Sequence, residues 1–164
     1  MRCSRSLTAA LAAMTFAAAF AFVHRADAFT SEECVTRWTH DVDLKFRLPK
    51  ASAQTRCTVI AGRITQLSRQ IIGKWAQRGS HGIDTMSFTP DGLVRVHEFN
   101  FGSQSIQDTV QKWSFENPYG TVGSESLTIN DGPMSAADFK GRVMTIRSQP
   151  ADAEIVERWR RVSR

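Results

Sequence analysis

The sequence predicts a mainly β protein, a small antiparallel up-and-down barrel with a disulfide-linked α/β segment in front of it. Three observations predict this fold. The chain begins with an apolar leader, two cysteines remain after the leader, and short strand-like runs with Pro/Gly turns fill the chain from Gly73 onward. Regular short strands of this kind are typical of antiparallel barrels and sandwiches, in which sequential hairpins are the simplest connection.

The first 28 residues of the chain have the layout of a bacterial secretory signal peptide. Arg2 and Arg5 precede an uncharged stretch over residues 7–23, and Ala26-Asp27-Ala28 places small residues ahead of a cleavage site before Phe29. The alternative is an uncleaved anchor, but the stretch is short and only weakly apolar for a permanent membrane span. We therefore expect a periplasmic or secreted protein that meets the membrane only through its leader, before cleavage.

Residues 29–164 are long enough for one ordinary domain with its own core. The formal net charge of +5 for the whole chain falls when the leader is removed, because the leader carries three arginines and one aspartate. The remaining positive residues are scattered, which argues against a nucleic-acid surface. The one dense basic run, residues 158–161, is expected to be the solvated face of a terminal strand.

The cysteines predict a single structural disulfide. Cys3 leaves with the leader, so Cys34 and Cys57 remain as an even pair in an oxidising compartment. A loop of about 24 residues closed in this way stabilises a fold by roughly 3 kcal/mol. There is no C-x-x-C motif, so a catalytic thiol is the weaker alternative.

Residues 29–72 form the N-terminal segment, which we expect to pack on the barrel. Thr30-x-x-Glu33 matches a capping box and predicts a short helix from about Ser31. Residues 41–48 alternate between polar and apolar side chains, which predicts a half-buried strand that Pro49 stops.

A second helix is predicted after Cys57. Its apolar residues recur at spacings of four, three and four, which places them on one face of a helix that Gly73 ends. The residues of this stripe are Ile60, Ile64, Leu67 and Ile71. Gly62 weakens the pattern, so a strand over residues 58–64 remains an alternative.

Residues 73–164 contain about seven strand-like runs with turns between them. Pro90-Asp91-Gly92 illustrates the turns, because proline presets φ and glycine accepts a positive φ. The predicted strands are Gly73–Gln77, Ile83–Thr89, Leu93–Phe99, Thr109–Glu116, Glu125–Asn130, Arg142–Arg147 and Glu154–Val162.

Several of these runs resemble the motifs of small bacterial lipocalin-like domains. Gly73-Lys74-Trp75 resembles the G-x-W motif of their first strand, and residues 87–92 (SFTPDG) resemble one of their hairpins. Residues 112–116 (KWSFE) resemble a later strand with a G-x-W motif, and residues 158–161 (RWRR) resemble their basic closing strand. Lys112 departs from the pattern, since glycine is usual there. The resemblance implies a lipocalin-like barrel over residues 73–164, in which an arginine of the closing strand packs over the first-strand tryptophan. The residues expected in this structural role are Trp75, Trp159 and Arg160.

A barrel of this kind predicts a non-enzymatic binding protein that holds a small apolar ligand or a lipid tail. The apolar side chains expected to bind it, in or at the mouth of the barrel, are Phe88, Val94, Val96, Phe99, Trp113, Phe115 and Met144. Small barrels often fill their interiors with side chains, and a filled barrel would favour a different function. The alternative is therefore a protein-interaction module, such as an inhibitor of a secreted hydrolase or an envelope-stress factor, which acts through residues 99–107 or the mature N-terminus.

Histidines are the remaining candidates for metal binding or acid–base chemistry. His40 and His97 have acidic neighbours, but adjacent residues on a strand point to opposite faces, and His81 lies in an expected loop. The sequence has no nucleophile elbow, phosphate-binding loop or dinucleotide fingerprint. We therefore expect no catalytic residue, no metal and no cofactor.

Overall fold

A computed structural model describes residues 30–149 and 153–163. The predicted signal peptide, residues 1–28, lies outside the described residues. In chain order the elements are α1 Ser31–Thr36, a π-helical turn Arg37–Asp41, a 3-10 turn Leu44–Phe46, α2 Lys50–Ile71, β1 Gly73–Arg78, β2 Gly82–Phe88, β3 Leu93–Asn100, β4 Ile106–Glu116, β5 Ser126–Ile129, β6 Ser135–Lys140, β7 Val143–Ser148 and β8 Ile155–Ser163.

The eight strands form a closed antiparallel barrel. Each strand pairs with its neighbours in sequence, and β8 returns to pair with β1. The prediction of a mainly β, up-and-down antiparallel barrel is therefore confirmed. The sequence predicts seven of these strands, and the additional one is β6, which pairs with β7 from Ser135 opposite Ser148 to Lys140 opposite Val143.

The first helix begins at the predicted capping box. The backbone N–H of Glu33 donates to the Thr30 hydroxyl at 3.2 Å, and the Glu33 carboxylate accepts from the Thr30 backbone N–H at 3.2 Å. Both orphan donors at the helix start are thereby satisfied. The predicted disulfide between Cys34 and Cys57 is confirmed, with Cα atoms 5.6 Å apart, and it joins α1 to α2.

The second helix is confirmed and begins earlier than Cys57, at Lys50. The predicted stripe faces inward: Ile60, Ile64 and Ile71 are buried, and Leu67 packs against the same cluster. The strand alternative over residues 58–64 is wrong, because these residues lie within α2, and Gly62 is on its exposed surface, where a Cβ would meet nothing within 4 Å.

The strand predicted over residues 41–48 is wrong. These residues form parts of a π-helical turn and a 3-10 turn, and the Asp43 carboxylate accepts from the Lys45 backbone N–H at 3.4 Å. Alternation alone does not make a strand, because a strand also needs a partner and a face to bury. Leu44 and Phe46 are 77% and 59% exposed, so the apolar side chains of this segment do not form a buried face.

The two ends of the barrel differ. At one end, which we call the helix end, α2 leads through Ile72 into β1 and packs beside β4. There Arg63 of α2 pairs with Glu125, just before β5, at 3.0 Å, and the Glu125 side chain is only 2% exposed. At the opposite end, which we call the loop end, residues 101–105 connect β3 to β4.

The turn after β4 also binds the N-terminal segment to the helix end. Gly120, at φ +60°, lies so close to the Trp38 indole that a Cβ atom there would overlap the ring. The buried Asn117 side chain closes this turn, because its amide donates to the Thr121 carbonyl at 2.8 Å and its oxygen accepts from the Thr121 N–H at 3.1 Å. The turn is therefore a rigid contact surface for Trp38.

One hydrophobic cluster joins the helices to the barrel interior. Its aromatic members meet edge to face: the Phe88 and Trp113 rings have centroids 5.8 Å apart, and the Trp113 and Phe115 rings have centroids 6.2 Å apart. The Trp113 indole N–H donates to the Leu93 carbonyl at 3.1 Å, which satisfies its polar atom. The helix end of the barrel is therefore filled by side chains.

The predicted Pro90-Asp91-Gly92 turn connects β2 to β3. Gly92 has a φ of +79°, and its N–H donates to the Thr89 carbonyl at 3.2 Å. The Thr89 hydroxyl donates to the Asp91 carboxylate, and this hydrogen bond is the main cause that holds the Asp91 pKa below its ordinary value.

Candidate ligand-binding site

Most of the predicted ligand-binding residues lie in the filled part of the barrel. Five of them are buried members of the hydrophobic cluster: Phe88, Val94, Trp113, Phe115 and Met144. Val96 is half-buried on the same inner face of β3. Phe99 lies on the outer face instead, because strand residues an odd number apart point to opposite sides, and its ring packs edge to face on Phe101 at 5.8 Å.

A cavity of about 310 Å³ lies inside the barrel toward the loop end. Its size is at the lower limit of small-molecule sites, which measure roughly 300–1,000 Å³. Of the predicted ligand residues only Val96 lines it. The lining residues are Asp84, Met86, Val96, Glu98, Gln111, Leu127, Ile129, Pro133, Ser135, Ile146, Ser148, Glu157 and Trp159.

Strand periodicity explains why polar side chains line this cavity. On β2 the inward residues are Phe88, Met86 and then Asp84, and on β3 Val96 is followed by Glu98. Apolar residues therefore point inward at the helix end, and acidic residues do so at the loop end. Strand alternation could have found these carboxylates, because Asp84 and Glu98 lie two residues beyond the inward-facing Met86 and Val96. The ligand contacts predicted from the sequence are large apolar side chains only, and they therefore do not include these carboxylates.

Three carboxylates line the cavity, and they belong to Asp84, Glu98 and Glu157. The ion pairs found in residues 30–149 and 153–163 lie elsewhere, between Arg63 and Glu125, His97 and Asp108, and Arg147 and Asp138. No lysine, arginine or histidine is among the lining residues that the structure describes. The cavity therefore carries acidic groups without a basic partner in its wall.

One lining residue has a buried polar atom without a hydrogen-bond partner. Trp159 is 5% exposed and lines the cavity, and its indole N–H has no partner within the described part of the chain. The Gln77 side-chain oxygen is also buried and unpaired, but Gln77 does not line the cavity; it lies on β1, where it pairs in register with Asp84. Each such atom costs free energy when it is left dry and unsatisfied.

The predicted arginine over Trp75 is present at the helix end, and it is Arg161 rather than Arg160. The Arg161 guanidinium lies 4.2 Å from the Trp75 ring centroid and donates to the Ile72 carbonyl at 2.9 Å and to the Gln70 carbonyl. Arg160 is exposed because alternation along β8 turns it to the outer face when Trp159 and Arg161 point inward. This cluster ties the closing strand to the end of α2.

A second, wider groove of about 910 Å³ lies between α2 and the β6–β7 hairpin. Arg69 and Arg142 line it from opposite sides, and both are exposed. It is a solvated surface groove rather than an interior cavity. The loop-end cavity is therefore the better candidate for a binding site, because it lies within the barrel wall.

The histidines do not assemble into a metal site. The structure, over the residues it describes, contains no group of three or more His, Cys, Asp or Glu side chains that could hold one ion. His97 instead pairs through Nδ1 with the Asp108 carboxylate at 2.7 Å on the outer face of the barrel.

Comparison with known proteins does not assign the chain to a family. No protein-family model matches it, and no curated protein matches it significantly. None of the helices within residues 30–149 and 153–163 combines the length and hydrophobicity needed to cross a bilayer.

Proposed function

We propose that this chain is a non-enzymatic binding protein with a lipocalin-like barrel that holds a small ligand in the loop-end cavity. The observation that carries this proposal is a cavity of about 310 Å³ inside a closed barrel whose other end is filled. Met86, Val96 and Ile146 are among the apolar side chains lining it, so an apolar part of the ligand would gain about 25 cal/mol for each Å² that it buries there.

A fluorescent probe tests whether the cavity binds ligands. The protein, expressed from the full-length sequence with its leader and purified from the periplasm, is titrated with N-phenyl-1-naphthylamine, a neutral apolar fluorophore that brightens on leaving water. We expect saturable binding by the wild type. We also expect binding to be lost in Val96→Trp, which fills the cavity, and retained in Val110→Trp, which adds the same ring to the outer face.

Circular dichroism and thermal unfolding show whether both variants are folded. A folded Val96→Trp protein that binds the probe as tightly as the wild type would contradict the proposal, because the probe would then be bound elsewhere.

We further propose that the protein is exported and acts in the periplasm or outside the cell. The disulfide between Cys34 and Cys57 supports this location, because such bonds persist in oxidising compartments. Native mass spectrometry of the protein purified from its own periplasm tests it. Cleavage before Phe29 and an intact disulfide are expected, and an uncleaved chain would contradict export through this leader. The same spectrum would also identify a co-purifying ligand.

A protein-interaction module remains a second candidate, and one observation favours it. Ile83, Phe101 and Ile106 are exposed at the loop end, and Ile83 and Ile106 each pair in register with Phe99 on the outer face. A protein partner that binds there would lose affinity when Ile106 is changed to Ser and keep it in Val96→Trp. A ligand inside the barrel would show the reverse.

A further inference from the structure

The cavity concentrates negative charge in a chain that is positive overall. Asp84, Glu98 and Glu157 enter from β2, β3 and β8, while the formal net charge of the whole chain is +5. Asp84 and Glu157 are half-buried, whereas Glu98 is exposed at the loop end. Partial removal of a carboxylate from water costs free energy unless a cation compensates it. The described wall offers no such cation.

The strand register increases this cost. Asp84 and Glu98 are direct Cα partners across β2 and β3, and both point inward. Like charges placed directly opposite each other on one face of a sheet are destabilising. A positively charged group between these two carboxylates would turn repulsion into attraction on both sides.

Trp159 gives a second, independent reason to expect a polar ligand. It is 5% exposed and lines the cavity, and its indole is the strongest aromatic partner for a cation. Its indole N–H has no hydrogen-bond partner within the described residues, so an acceptor atom of a ligand that reached it would remove the free-energy cost of leaving it unpaired. A ligand with both an ammonium group and an acceptor matches these two features of Trp159.

The spacing of the acidic groups favours an organic cation over a metal ion. A metal site needs several ligating atoms around one point, and no group of three or more candidate side chains in the described ranges meets that condition. The carboxylates are instead distributed along a wall that also contains Leu127, Ile129 and Ile146. An amine with an apolar body matches this combination.

We propose that the loop-end cavity binds a small organic amine in its ammonium form, with the ammonium group at Asp84 and Glu98 and an apolar or aromatic body against the opposite wall. This inference rests on the proposed function, since it names the ligand class of the same cavity. The uncharged or purely lipidic ligand expected from the aromatic residues would leave these carboxylates without a partner.

Three molecules of one shape test the charge requirement. Isothermal titration calorimetry of the exported protein compares tyramine, its neutral alcohol analogue tyrosol and the anion 4-hydroxyphenylacetate. All three carry the same phenol and differ in the group at the other end of the molecule. We expect tyramine to bind at least about tenfold more tightly than tyrosol, because a hydrogen bond to a charged group contributes about that factor in affinity. We expect the anion not to bind.

Two neutralising variants locate the charge. Asp84→Asn and Glu98→Gln are each expected to weaken tyramine binding by about tenfold and to leave tyrosol binding within about twofold. Asp108→Asn is the matched control, because it removes a carboxylate from the outer face of the neighbouring strand, where it pairs with His97. We expect its tyramine affinity to equal that of the wild type.

The outcomes separate this inference from the proposed function. Equal affinities for tyramine and tyrosol, or unchanged tyramine affinity in both folded neutral variants, would overturn the amine proposal. Binding of the neutral naphthylamine probe without tyramine would overturn it and leave a binding cavity for apolar ligands. Absence of all binding in the folded wild type would overturn both.

Discussion

Substitution of Gly120 by alanine tests how the N-terminal segment is held on the barrel. Two separate costs are expected. An L-residue in the left-handed region, at φ +60°, costs about 1–2 kcal/mol, and forcing a methyl group into the Trp38 indole adds about 1–3 kcal/mol of overpacking. We therefore expect Gly120→Ala to lower the free energy of unfolding by about 2–5 kcal/mol.

Gly141 provides a matched control for this substitution. It has the same φ of +60° in the β6–β7 turn, but a Cβ atom there would meet nothing within 4 Å. Gly141→Ala should therefore cost only the backbone part, about 1–2 kcal/mol. Urea unfolding of both variants measures the difference, which isolates the contact with Trp38.

A Trp38→Leu background removes the ring and should reduce the cost of Gly120→Ala to that of Gly141→Ala. The result that would refute the reasoning is an equal cost for the two alanine variants in the wild-type background. In that case the Trp38 indole would move aside at no cost, and the segment would not be rigidly seated on the turn.

Three further predictions concern stability. The double variant Cys34→Ala, Cys57→Ala should lose about 3 kcal/mol in urea unfolding, because the closed loop no longer restricts the unfolded chain, and an unchanged midpoint would contradict this. Arg63→Met should lose about 1–3 kcal/mol, because it leaves the buried Glu125 carboxylate without its ion-pair partner. Glu125→Gln in the Arg63→Met background should recover part of that loss, and no recovery would contradict the reasoning. The lowered pKa of Asp91 stabilises the fold above the unfolded-state pKa, and this stability is lost as the pH falls through the folded-state pKa. The difference in melting temperature between wild type and Asp91→Asn should therefore change across acidic pH, and a constant difference would contradict it.

The barrel is predictable from sequence because most of its strands carry apolar residues in alternation. The strand β6 (Ser135–Lys140) is not predicted, because the Ser, Ala, Asp and Lys residues that make up most of it have little strand preference. It forms because its full length pairs with β7, while Ala137 is buried and Phe139 packs on the core. In residues 41–48 the local pattern indicates a strand, but no partner strand is present there.

The site is harder to predict than the fold. Large aromatic side chains are those expected to contact an apolar ligand, yet in a barrel this small they contact each other, as Phe88 and Trp113 do. The cavity remains where side chains are smaller or polar, as at Ser135 and Ser148. Which end of the barrel is filled depends on how α2 packs, and strand periodicity alone contains no information about that packing.

The pairing of β8 with β1 has a consequence for how the protein folds. Arg161 at the end of β8 binds the Ile72 carbonyl, 89 positions earlier in the chain, so barrel closure requires contacts between residues far apart in the chain. Contacts of this kind form slowly, because loop-closure entropy must be overcome first. Until closure, β1 and β7 present unpaired edges that can recruit other chains. The disulfide joins α1 to α2, outside the strands, so it does not hold these edges together.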